Sequence, residues 1–183
     1  MMKNILIING HEYFSFAKGD LNRTISLTMV EKLGKKYNVK TTVVQAGYDI
    51  KEEQEKFQWA DTVIIQTPVY WYSYPGLFKK YIDAVYEQEI FYRSGKVYGT
   101  NGLFSDKKYM LSVTWAAEED LFSNEKTFFD GKSMDDVLVA MHKNQQFVGM
   151  KPLKTLSTHQ ALNPNIDECL KKVNEHLKEV FSV

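Results

Sequence analysis

At 183 residues the chain is long enough for one domain with its own core, and it is read as a single domain over 1–183. Lys plus Arg and Asp plus Glu both number 23, so formal net charge is zero and no basic excess exists to displace counterions from a nucleic acid. The one cysteine, Cys169, excludes an internal disulfide and suits a reducing cytoplasm; no stretch approaches the roughly 20 apolar residues of a membrane span, and the opening apolar run is too short for a signal peptide.

In chain order, "NILIING" is a short apolar run ended by Asn-Gly, as in a central strand buried on both faces. Leu21, Ile25, Met29 and Leu33 then recur at helical spacing, with Gly34 as the stop. "NVKTTVVQA" predicts a second strand, and "YDIKEEQEKFQWA" a polar helix with Ile50, Phe57 and Trp59 turned inward. "DTVIIQTPVYW" predicts a third strand ended by Pro68, and a helix follows from Pro75 with Phe78, Ile82 and Val85 inside. After an irregular, Gly- and Tyr-rich segment, "KKYMLSVTWAA" predicts a fourth strand. "SMDDVLVAMHKNQQFV" predicts one helix capped by Ser133, with Met134, Val137, Leu138 and Met141 on one face. "KPLKTLSTHQ" predicts a fifth strand. A last helix carries Ile166, Leu170, Val173, Leu177 and Phe181 inward, and Cys169 within its apolar pattern reads as a small core residue.

Five alternations of strand and helix predict a three-layer α/β sandwich: a parallel sheet with helices on both faces. Five strands fit the flavodoxin-like order 2-1-3-4-5, whose ligand site lies at the carboxyl ends of the strands. The loops after strands one, three and four should meet there.

The first loop, "NGHEYFSFAKGDLNRT", lacks GxGxxG and GxxxxGK[ST]. Unpaired N–H groups at the start of its helix would attract an anion, with Asn22 and Thr24 as neutral donors and Lys18 and Arg23 as positive charge. The alternative is a plain helix start capped by Asp20. His11 is a further candidate contact on this side. The second loop, "PVYWYSYPG", gathers Tyr70, Trp71, Tyr72 and Tyr74 at the end of a buried strand. Aromatic faces beside backbone amides suit a flat conjugated ring first; a dimer interface, which is compatible with it, and internal packing are the alternatives. The third loop, "TWAAEED", places Thr114 and Trp115 to contact the same ring; its acidic run reads as a solvated helix start. No Cys/His spacing suits a metal, His142 reads as a structural histidine, and no nucleophile elbow is present. Chemistry carried by a cofactor fits that inventory.

"GDLNRT", "WADTVIIQTPVYWYSYPGLFKKYIDAVY", "KKYMLSVTWAA" and "HKNQQFVGMKPL" resemble the flavodoxin-like NAD(P)H:quinone oxidoreductases, in the same order and over nearly the whole chain. The resemblance implies a homodimeric FAD enzyme. It would take hydride from NADPH or NADH onto the flavin and pass it to a quinone at one shared site. The positions matching the family's pyrophosphate contacts are Ala17, Lys18, Gly19, Asp20, Leu21, Asn22, Arg23 and Thr24. Those matching its flavin-ring contacts are Pro68, Val69, Tyr70 and Trp71, with Thr114, Trp115, Ala116 and Ala117; Tyr98 matches a further flavin-binding tyrosine. The chain departs from the family at Ala17 and Lys18, where relatives carry a small polar pair, and at Tyr70, where relatives often have Trp. It has no Tyr and His after the fourth strand, so no acid–base residue is carried over. The alternatives are an FMN-dependent azo- or nitroreductase of the same superfamily and a flavodoxin-type electron carrier.

Overall fold

The computed structural model describes residues 2–183. Its six strands are β1 (Asn4–Asn9), β2 (Asn38–Val43), β3 (Thr62–Pro68), β4 (Lys108–Thr114), β5 (Lys151–Pro152) and β6 (Leu156–Thr158). They form one parallel sheet in the order β2-β1-β3-β4-β5, with β6 also paired to β4. The helices are α1 (Asp20–Leu33), α2 (Ile50–Trp59), α3 (Gly76–Val85), α4 (Met134–Val137), α5 (Val139–Phe147) and α6 (Ile166–Phe181).

Strand periodicity of two sorts the core into two layers. Ile5 and Ile7 of β1, Ile64 of β3 and Met110 of β4 face α1 and α6, where they meet Ile25, Met29, Val173 and Leu177. Leu6, Ile8, Val63, Ile65, Leu111 and Val113 face the other way, against Phe57, Phe78, Tyr81 and Met141. Each central strand is therefore buried on both faces, which is why "NILII" and "TVIIQ" read as continuous apolar runs. Among the described residues no helix is long and apolar enough to cross a membrane.

The sheet order is the one that the alternation of strands and helices predicts, and three elements differ in detail. The fifth strand is interrupted: Pro152 pairs with Tyr109 and Leu156 with Ser112, so four residues of advance on one side face three on β4. The additional residue forms a bulge at the sheet edge, where Pro152 forfeits no ladder bond. The helix capped by Ser133, through a capping box with Asp136, breaks into α4 and α5 at Leu138, whose dihedrals leave the helical region. In α2 only Phe57 of the three expected inward residues is fully buried. Ile50 lies in the first turn and is exposed, and Trp59 sits half-buried under the Lys40 ammonium. The inner face of α2 is completed instead by Glu53, which accepts hydrogen bonds from Thr42 and Tyr81 and pairs with Lys56 at 2.6 Å.

Candidate functional site

The carboxyl ends of β1, β3 and β4 open into one cleft of about 820 Å³. Its walls are built by local conformations that the sequence alone only hints at.

The first wall is the approach to α1. Gly19 stands at the N-cap with φ +80°, ψ 14°, so the chain enters the helix through a left-handed residue. Asp20, expected as a possible cap, is instead the first helical residue; its carboxylate pairs with Arg23 at 2.7 Å, and no side chain caps the helix. The first N–H groups of α1 therefore have neither an intrahelical acceptor nor a side-chain one. The expected side-chain donors are spent elsewhere. Thr24 donates to the Asp20 carbonyl at 2.8 Å. Asn22 is buried in a polar chain that crosses the sheet: Ser112 donates to Gln66 at 2.6 Å, Gln66 to Asn22 at 2.8 Å, and Asn22 to Thr114 at 3.2 Å. That chain locks α1 to β3 and β4 and leaves the backbone N–H groups at the start of α1 unspent.

The second wall is the aromatic turn after β3. Tyr70 and Ser73 exchange backbone hydrogen bonds of 3.0 and 3.1 Å around Trp71 and Tyr72. Both central residues have positive φ, 50° and 64°, as a two-residue type I′ turn demands. Bulky residues there are strained, and strain of this kind gathers at functional turns. The turn presents Trp71 at 92% exposure. Tyr70 is half-buried, edge-on to His11 and Phe14.

The floor is Thr114 and Ala116. Trp115, expected at the ring, points the other way. Its indole is buried against Phe122 at 5.0 Å and Phe129 at 6.2 Å, because alternation along β4 sends it to the opposite face from Thr114. Ala117 lies behind the floor, its carbonyl accepting from His159 at 3.1 Å.

Ala17, Lys18, Gly19, Asp20, Leu21, Asn22, Thr24, Pro68, Val69, Tyr70, Trp71, Thr114 and Ala116 all line the cleft. Arg23 does not, being turned outward to Asp20. Tyr98 does not either: it is exposed on the 86–107 segment, 5.3 Å from Phe147, beside a separate hollow. The cleft also has members that sequence reasoning left out. Ala161, Leu162, Pro164 and Ile166 form an apolar shelf from the segment leading into α6. Their signal was available: the loop after the last strand opens at the same end of the sheet, and Leu162 stands among polar residues with no helical partner. Ile166, expected to face inward from α6, is exposed on this shelf.

His11 lies between the two walls and is 4% exposed. Its backbone N–H is held by Asn9, and its Nε2 is 3.4 Å from the Tyr70 hydroxyl. Burial pushes its pKa below the ordinary histidine value, opposed by the nearby carboxylates of Asp20 and Glu12. Burial likewise pushes the Tyr70 phenol up.

A family model described as "Flavodoxin-like fold" matches residues 3–181. The chain belongs to the flavodoxin-like fold family. Within it, the chain is 37% identical over 190 residues to the NADPH:quinone oxidoreductase MdaB of Haemophilus influenzae, covering 97% of this chain and 99% of that one. Among solved structures, an NADPH-quinone reductase from P. pentosaceus superposes with a TM-score of 0.72 at 19% identity, covering 100% and 99% of the two chains. The general stress protein 14 of Treponema denticola, solved with FMN, superposes at 0.74 with 17% identity and 98% of each chain covered. These two structures bear on the fold of this flavodoxin-like chain. The likeness to quinone reductases read from its sequence is borne out by the MdaB match.

The architecture fits a flavin on grounds internal to the chain. An uncapped helix start accepts a phosphate, an aromatic turn accepts a flat ring, and the two share one cleft. Among the described residues no group of three His, Cys, Asp or Glu side chains converges to hold a metal.

Proposed function

We propose that this protein is an NAD(P)H:quinone oxidoreductase that holds FAD in the cleft and works as a homodimer in the cytoplasm. The observation that carries the reading is the meeting of the uncapped α1 start with the Tyr70–Trp71 turn in one cleft, in a chain whose full-length relative is named for that activity. When bound, the flavin supplies the redox chemistry, accepting a hydride from the nicotinamide and passing two electrons to a quinone.

The protein's part is to bind and orient. The first backbone N–H groups of α1, with Lys18, hold the pyrophosphate. Pro68, Val69, Tyr70 and Trp71 would line one side of the ring, and Thr114 with the backbone of Ala116 would support it from the floor. The choice of FAD over FMN rests on the shelf of Leu162, Pro164 and Ile166. It extends the cleft past the helix start with apolar surface suited to a second ring, the adenine; a monophosphate flavin would leave that surface bare. Trp71, Phe16, Phe128 and Tyr98, all mostly exposed aromatics, supply the apolar surface that a second copy of the chain would cover.

Steady-state turnover with NADPH or NADH and a simple quinone tests the activity. Parallel double-reciprocal lines are expected, as for two substrates that use one site in turn. Absence of turnover by FAD-loaded protein with either nicotinamide would refute the reading. Sedimentation of the purified protein tests the dimer, with a mass near twice that of the 21.3 kDa chain expected.

A further inference from the structure

The turn that follows β4 contributes Ala116 to the floor of the cleft, and its conformation is set from behind. The segment that leaves β6 grips it at both ends. At the near end the Trp115 N–H donates to the Thr158 carbonyl at 2.9 Å, and the Ala161 N–H donates to the Trp115 carbonyl at 2.8 Å. At the far end the Ala117 carbonyl accepts from the His159 ring at 3.1 Å and, more weakly, from the Gln160 N–H at 3.4 Å. Between the grips, among the described residues, the N–H groups of Ala116 and Ala117 donate no hydrogen bond within the protein. A trans peptide holds its C=O and N–H antiparallel. The Trp115 carbonyl points to Ala161, so the Ala116 N–H points the opposite way.

His159 is the only side chain that holds the Ala117 carbonyl. A carbonyl can only accept, so Nδ1 carries a proton. Burial holds the His159 pKa below the ordinary histidine value, opposed by the Ala117 hydrogen bond and the Glu119 carboxylate, and the ring is neutral at pH 7. Its Nε2 then has a free lone pair, which accepts from the Ser157 hydroxyl at 3.1 Å. Ser157 is buried in β6, so the chain from Ser157 through His159 to Ala117 anchors the turn to the sheet. Glu119, two residues on, is tied to Lys172 of α6 at 2.7 Å. His159 itself stands outside the cleft.

We propose that His159 is a positioning residue for flavin reduction: its Nδ1–H, kept in place by the Ser157 hydroxyl at Nε2, fixes the Ala117 peptide so that the free N–H groups of the turn face the bound ring and favour its reduced, anionic state over its oxidised, neutral one. This rests on the flavin reading above. A donor already aimed at the place where negative charge grows needs no reorganisation when the charge arrives. The neutral oxidised ring gains less from the same donor, because hydrogen bonds to ionised acceptors are the stronger ones.

The midpoint potential of the FAD-loaded full chain, from dye-coupled reductive titration at pH 7, tests this with two variants. His159→Leu keeps bulk and removes the donor, whereas His159→Asn keeps an N–H close to the place of Nδ1. In His159→Leu the preference for reduced over oxidised flavin should fall about tenfold, which lowers a two-electron potential by about 30 mV. The Kd for oxidised FAD should change by about threefold at most. His159→Asn should restore most of the potential. A potential in His159→Leu equal to the parent's, or an equal fall in both variants, overturns the role of His159 and leaves the flavin reading standing. Nitrogen NMR of the histidine-labelled, flavin-free chain tests the same hydrogen bond should His159→Leu fail to fold, with the His159 signals assigned by their loss in His159→Asn. A proton on Nδ1 is expected, and a ring protonated at Nε2 alone overturns the proposal. Failure of the unaltered chain to bind FAD overturns both readings.

Discussion

Replacing Gly19 with alanine should damage stability and flavin binding together, for two separable reasons. The backbone at Gly19 has φ +80°, where a Cβ costs about 1–2 kcal/mol. The Cβ would also stand 2.7 Å from Nδ1, 2.9 Å from Cγ and 3.0 Å from Cε1 of His11, well inside the ~3.5 Å at which carbon atoms come to rest. That ring is packed by Tyr13 and Tyr70 and has little room to retreat. Overpacking of this kind adds about 1–3 kcal/mol, so the sum is roughly 2–5 kcal/mol. For a chain of this size that lowers Tm by roughly 5–15 °C in a thermal melt. Gly99→Ala is the control, since Gly99 has φ +77° with no atom within 4 Å of the added Cβ; only the backbone part should be lost there. On a His11→Ala background the Gly19→Ala step should shrink to that same backbone part. FAD affinity, followed by quenching of flavin fluorescence, should fall with Gly19→Ala and not with Gly99→Ala. A Gly19→Ala melt within about 1 °C of the parent, or a cost no greater than that of Gly99→Ala, would refute the steric role given to position 19.

Trp71→Gly removes left-handed strain from an almost fully exposed residue, so it should raise stability by about 0.5–1 kcal/mol while weakening FAD binding roughly two- to tenfold; a melt and a titration on one preparation check both signs. Glu53→Ala strips the buried carboxylate that Thr42, Tyr81 and Lys56 share, and urea unfolding should show a loss of about 3–5 kcal/mol, against little loss if the cluster is dispensable. Burial pushes the Tyr109 phenol up to about 12, above the ordinary value of ~10. A pKa raised on folding gives stability that is complete below pH ~10 and is lost as pH rises through about 12. Tyr109→Phe should therefore flatten the alkaline fall of Tm in that window, and an unchanged alkaline profile would refute the assignment.

Periodicity carries information about burial and little about what surface residues do. Ile5 to Ile8 and Val63 to Ile65 announce a doubly covered sheet because the runs are short, rich in β-branched residues and closed by turn or proline signals, Asn9-Gly10 and Pro68. The same logic misplaced Ile50 and Ile166, since each helix extends past the sheet and its first turn is free to be apolar without being core. Trp115 illustrates a different limit. Its neighbour Thr114 and the alternation of β4 decide its face, and that decision outweighs the aromatic character that made it look like a ring contact. Asn22 and Thr24 have the chemistry of phosphate donors, yet partners 92 and 4 residues away claim them first. The uncapped state of α1 was equally invisible, because Asp20 looks like a cap until Gly19 takes the N-cap position and Arg23 takes the carboxylate.

As proposed, one cleft holds a dinucleotide flavin, with the pyrophosphate at the start of α1, the ring at the Tyr70–Trp71 turn and the adenine on the Leu162–Ile166 shelf. Mass spectrometry of the flavin released when the purified protein is denatured tests it most directly. FAD is expected, one per chain. Release of FMN would contradict the role given to the shelf, and a colourless protein that takes up no added FAD would contradict the claim as a whole.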